Sequence, residues 1–109
     1  MTEVSNTLRA ARKLIEKPEN WCKGSFARDP SGTAVDLASR NACAWCVWGA
    51  VGIAANMVDA DPCRATKVLG AALPDAFRGV SDFNDHPDTT HPMVLDLFDR
   101  AIAMEEADG

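Results

Sequence analysis

Cys22, Cys46, Asn84, Asp85 and His91 are the residues of this chain whose types could do covalent chemistry. Thiol catalysis needs a nucleophile, a base and a group that orients the base, all within hydrogen-bond reach. Cys22 or Cys46 would be the nucleophile, His91 the base, and Asn84 or Asp85 the orienting group. A metal would draw on an overlapping set. Cys43-x-x-Cys46 and His86-x4-His91 each have a spacing found in zinc sites, which makes Cys43, Cys46, His86 and His91 the candidate ligands. The 39 residues between Cys46 and His86 are more than a zinc finger spans, so only folding could join the two halves. The same C-x-x-C would suit a redox pair if its first cysteine stood at a helix N-terminus, where the dipole lowers a thiol pKa.

Each of these residues also has a plainer reading. Cysteine is often a small buried hydrophobe. "FNDHPDTTH" is ordinary turn chemistry, in which Asn, Asp and Thr side chains bond to nearby backbone. Both histidines precede prolines, which marks turns and helix starts. There is no Gly-rich phosphate loop, no serine elbow and no His-Glu-x-x-His, so no cofactor is expected.

Helices must position these groups. Val4, Leu8, Ala11 and Ile15 fall on one helical face, with Arg9, Arg12 and Lys13 outside, and Pro18 should stop that helix near Lys17. Asp29-Pro30-Ser31-Gly32 is a type I turn sequence, and it predicts a hairpin of Trp21–Arg28 with Thr33–Val35. Asp61-Pro62 supplies a cap and a first-turn proline for a helix whose stripe is Ala65, Val68, Leu69, Ala72 and Leu73, ended by Pro74. A polar connection follows. A last amphipathic helix begins near Thr90 and buries Val94, Leu95, Phe98, Ala101 and Ile102.

The 14 residues from Ala42 to Ala55 carry no charge. Roughly 20 are needed to cross a bilayer, so no membrane span is expected. A helix apolar all round in a soluble chain is buried all round. The run is therefore expected to be a central helix over about 37–57, capped by Asp36 or Asn41, with Trp45 and Trp48 buried and Cys43 and Cys46 on one face. The expected fold class is mainly α (α+β): about four helices around that buried helix, plus a small β-hairpin over about 21–35, in one compact domain of residues 1–109.

The net charge of −5 is unevenly distributed. Residues 1–40 hold seven Lys/Arg against five Asp/Glu, whereas residues 81–109 hold one Arg against eight acids. Without a basic stripe, nucleic-acid binding is not expected. The acidic region 81–109 is instead a candidate surface for a protein partner. The N-terminus has no apolar secretory core, and a cytoplasmic location with reduced thiols is expected.

Trp21-Cys22, Phe26 to Asp29, Trp45-Cys46 with Gly49-Ala50, Asn84-Asp85, and Thr90-His91 with Val94 resemble the W-C, F-A-R-D, W-C-x-x-G-A, W-N-D and T-H-x-x-V motifs of a family of small phage and bacterial proteins of unknown function. The similarity spans about residues 8–104. Phe83 stands where the pattern has Trp, and Cys43 and Cys63 lie outside it. The resemblance implies a shared fold and a polar site at Cys22, Cys46, Asn84, Asp85 and His91, but no activity. Size, charge asymmetry and the phage link lead to the expectation of a non-enzymatic protein-binding accessory protein, an inhibitor of a host protein among the options. A thiol or metal enzyme built on Cys22/Cys46, His91 and Asn84/Asp85 is the alternative.

Overall fold

The computed structural model describes residues 2–108. Helix α1 covers Glu3–Leu14 and opens with a capping box in which Thr2 Oγ1 accepts from Ser5 N and Ser5 Oγ accepts from Thr2 N. It stops before Lys17 is reached. Pro18 begins a separate turn of 3-10 helix at Pro18–Asn20, and the carbonyl of Ile15 turns to the ring Nε2 of His91, 2.7 Å away.

Strands β1 (Ala27–Arg28) and β2 (Ala34–Val35) form a hairpin at the expected turn, pairing Ala27 with Val35 and Arg28 with Ala34, but with arms shorter than the expected Trp21–Arg28 and Thr33–Val35. Asp29 holds the turn, because its Oδ1 accepts from Ser31 N and Thr33 N and its carbonyl accepts from Gly32 N. Gly32 has φ +86°, the left-handed region that glycine adopts without strain. A third strand, β3 (Ala44–Trp45), lies on the other side of β1, so the antiparallel sheet has the order β2-β1-β3.

That third strand corrects the expected helix over 37–57. Helix α2 begins only at Val47 and ends at Met57. The backbone N–H groups of Cys43 and Cys46 donate to the carbonyls of Arg28 and Phe26, so the first part of the uncharged run serves the sheet and the second part the helix. Neither Asp36 nor Asn41 is the cap. Cys46 is, through its sulfur, which accepts from Gly49 N at 3.3 Å. Cys43 and Cys46 therefore do not share a helix face. An apolar run without polar punctuation looks the same for a strand and a helix buried end to end, which is why spacing alone could not divide it. Nor is the run sealed from water, since Trp48 is 39% exposed.

Helix α3 (Pro62–Ala72) is capped by Asp61, whose Oδ1 accepts from Cys63 N, and it ends before Pro74 as read from the sequence. The expected polar connection contains a short helix, α4 (Val80–Asp85), because Val80 and Phe83, three apart, bury the same side. Helix α5 runs His91–Asp108. The protein is thus mainly α, with five helices and a small three-stranded sheet among the described residues. α1 packs on α2 and α5, and α3 packs on α5. Leu8, Ile15, Val51, Leu69, Phe83 and Phe98 are fully enclosed in the shared core, each contributing about 1.5–3 kcal/mol by leaving water. Among the described residues no helix is long and apolar enough to cross a membrane.

Candidate functional site

Asn84, near the end of α4, is buried to 1% exposure and uses its whole amide. Its Oδ1 accepts from Trp21 Nε1 at 2.8 Å and from Val47 N at 3.0 Å. Its Nδ2 donates to the Cys22 carbonyl at 3.1 Å and to Asp85 Oδ1 at 2.9 Å. One side chain thereby ties the segment after α1, the first residue of α2 and the end of α4 together. Placing Oδ1 on Val47 N also satisfies one of the donors that a helix start leaves open. Asp85 continues the network by accepting from Gly24 N at 2.9 Å.

The two thiols of the sequence motif are next to this knot. Trp21 bridges Trp45 in parallel, and Cys22 N donates to Trp45 O, which sets Cys22 beside Cys46 in the chain's lateral packing. Burial pushes the Cys22 thiol pKa up, reinforced by Cys46, and the Arg28 guanidinium only partly opposes this. Cys46 is also raised by burial, against the lowering from the Gly49 and Trp48 N–H groups at the start of α2. A helix N-terminus ordinarily favours thiolate. Here desolvation wins, and both sulfurs are held as neutral thiols.

A hollow of about 340 Å³ opens over this region, lined by Gly24, Ser25, Phe26, Val35, Cys46, Trp48, Ser81, Asn84 and Asp85. Phe26 and Trp48 also wall a second hollow of about 200 Å³ that reaches Leu37, Gly52 and Thr66. The backbone that carries Phe26 is pinned to α2. The Phe26 carbonyl accepts from Cys46 N and lies so close over α2 that a Cβ on Gly49 would stand 2.2 Å from it. Only glycine allows the sheet to approach the helix this closely.

The fold therefore gathers Cys22, Cys46, Asn84 and Asp85, of which Cys46, Asn84 and Asp85 line the larger hollow. His91 does not line it; its Nε2 is engaged by Ile15 O and its ring lies 6.0 Å from that of Trp21. His86 packs edge-on to Phe77, and its Nδ1 accepts from Asp88 N. Cys43 sits in the approach to β3. Among the described residues no three His, Cys, Asp or Glu side chains come together in a way that could hold a metal ion, so Cys43, Cys46, His86 and His91 do not form a shared centre. Phe26, Trp48 and Ser81 were not singled out by sequence reasoning for this face. The available signal was Gly49 inside a helix, a costly residue there that points to a close neighbour.

A family model described as a family of unknown function, DUF6197, matches residues 1–104. The chain belongs to that family. No curated protein and no solved structure matches it. Membership of DUF6197 agrees with the resemblance read from the motifs and assigns no activity to the polar knot.

Proposed function

We propose that this DUF6197 chain is a non-enzymatic protein-binding module whose contact face carries Phe26 and Trp48. The observation that carries the reading is the exposure of these two aromatics, 60% and 39%, as shared walls of two adjoining hollows. Aromatic side chains bury a large area and, with few rotatable bonds, lose little entropy on doing so, which is why they are enriched in binding hot spots. The thiol-enzyme alternative is less well supported: burial holds Cys22 and Cys46 protonated, Asn84 has no free amide valence, and His91 is spent on Ile15. The acidic region 81–109 is also a weaker contact candidate than its charge suggests, because Asp99 and Glu106 already meet Arg12 and Arg9 of α1. A phage or mobile-element accessory role acting on a host protein is the finer form of the proposal, drawn from chain size and the motif resemblance.

Site-specific photo-crosslinking in the native host tests it. A crosslinking side chain at position 26 should yield a discrete protein adduct that Trp48→Ala abolishes and that the same group at exposed Lys13 does not give. Identical adduct patterns from positions 26 and 13 would refute the reading.

A further inference from the structure

We infer that the hollow beside Asp85 receives a basic side chain, a guanidinium or ammonium group presented by the protein partner. The protein source of that group rests on the reading above; the chemistry rests on the hollow itself. Asp85 Oδ1 is fixed by Gly24 N and Asn84 Nδ2, each at 2.9 Å, which sets the carboxylate in one orientation. Its Oδ2 has no hydrogen-bond partner among the described residues, and Asp85 joins none of their ion pairs. Phe26 and Trp48 line the same hollow and are exposed, and the negative face of an aromatic ring attracts a cation.

No Lys, Arg or His lines the hollow. Lys23 and Arg28, of the segment that supplies Gly24, are engaged by other groups. Lys23 Nζ donates to the His86 carbonyl at 2.7 Å and lies over the Trp21 ring, while Arg28 donates to the carbonyls of Lys23 and Gly32. An anionic ligand would meet the Asp85 charge, and a purely apolar one would strip water from it without compensation. A basic side chain satisfies both the carboxylate and the aromatic walls. The volume of about 340 Å³ accommodates such a side chain, and the chain's net charge of −5 favours its approach.

The probe is the N-acetyl methylamide of arginine, titrated into the full chain and followed by NMR, with the citrulline analogue as its uncharged isostere. Arginine should produce saturable shifts at the Gly24 and Ser25 amides and the Trp48 indole N–H; citrulline should not. Asp85→Asn keeps an oxygen acceptor for Gly24 N and Asn84 Nδ2 while removing the charge, and it should weaken arginine binding about tenfold or more, as expected for losing a charge-assisted contact. If that variant does not fold, Trp48→Ala, a change at an exposed ring, should reduce arginine binding in the same assay. Equal shifts with arginine and citrulline, no saturable shift with arginine, or unchanged affinity in the folded variant tested would overturn the inference. A position-26 adduct alongside an inert arginine probe would refute the basic-group pocket and leave the docking reading standing. Arginine binding without that adduct would refute docking and leave the pocket.

Discussion

Replacing Asn84 by alanine removes four hydrogen bonds at a point where three segments of the chain meet. It strands the Trp21 indole N–H, the Val47 N–H and the Cys22 carbonyl. Each buried polar group left without a partner costs about 1–3 kcal/mol, so three of them bound the loss between about 3 and 9 kcal/mol. Asn84 also lines an open hollow, through which water can reach the vacated space and recover part of that cost. The expected loss is therefore about 3–5 kcal/mol, a large share of the roughly 5–15 kcal/mol that holds a domain together. Urea unfolding followed by tryptophan fluorescence and circular dichroism measures it. Asn84→Asp sharpens the test. It keeps the oxygen that faces Trp21 Nε1 and Val47 N but turns the donor toward the Cys22 carbonyl and Asp85 into a second oxygen. Burial and the neighbouring carboxylate raise the folded-state pKa of the introduced carboxyl. Its contribution is then most favourable below the unfolded value of about 3.9 and declines as pH rises through the folded value. The deficit of Asn84→Asp against wild type should widen from about pH 4 upward, while that of Asn84→Ala stays nearly flat. An alanine variant losing less than about 1 kcal/mol, or an aspartate variant whose deficit ignores pH, would refute the view that this amide organises the site.

Gly49→Ala sets a Cβ 2.2 Å from the Phe26 carbonyl oxygen, and the loss from forcing the sheet away, about 2–3 kcal/mol, should exceed the roughly 1 kcal/mol of helix preference gained. Gly70→Ala on α3, where an added methyl meets nothing within 4 Å, should be neutral or stabilising by up to about 1 kcal/mol in the same urea titration. A slow alkylating reagent with mass-spectrometric readout should label exposed Cys63 first, then half-buried Cys43, and should reach Cys22 and Cys46 only on unfolding; early labelling of Cys46 would contradict the neutral buried thiols. The Asp29 carboxyl is held below its usual pKa first by Ser31 and then by the Thr33 backbone, so its contribution is present above the unfolded value and fades as pH falls through the folded one. Thermal melts of Asp29→Ala should accordingly trail wild type at neutral pH, with the gap narrowing in acid.

Periodicity revealed the helices that bury one stripe against the core. In α1, α3 and α5 the apolar residues recur on a single face, and Asp61-Pro62 announces a start by its own chemistry. The segment from Asn41 to Val58 is not divisible in this way, because β3 and the first turn of α2 are both apolar and both lack charge. What splits them is long-range: the Arg28 and Phe26 carbonyls demand partners, and Cys43 and Cys46 supply them. Helix α4 was hidden for a related reason, since six residues give too short a window for a helical period. At the site, the residue types singled out by motif resemblance were those that meet, except His91. Their task could not be read from type, since an amide that orients a catalytic base and one that stitches backbone segments together look identical in a sequence. Only the four partners of Asn84 distinguish them.

The same distinction applies to charge. A basic N-terminal segment and an acidic C-terminal one suggest two surfaces waiting for other molecules. In the folded chain part of each meets the other: Arg9 pairs with Glu106 and Arg12 with Asp99 across α1 and α5. Exposed pairs of this kind are each worth only about 0–1 kcal/mol, so they register two helices more than they stabilise them. Among the C-terminal acids, Asp85 differs in kind. Its carboxylate is anchored on one oxygen by backbone and amide donors, and it stands beside aromatics that the core has left in water. A charge whose orientation is fixed and that stands beside exposed aromatic side chains is more useful to a binding partner than one free to move on a helix face. On that ground we place the proposed recognition surface at Asp85, Phe26 and Trp48, whereas Asp96, Asp99 and Glu106 of α5 are already paired with arginines of α5 and α1.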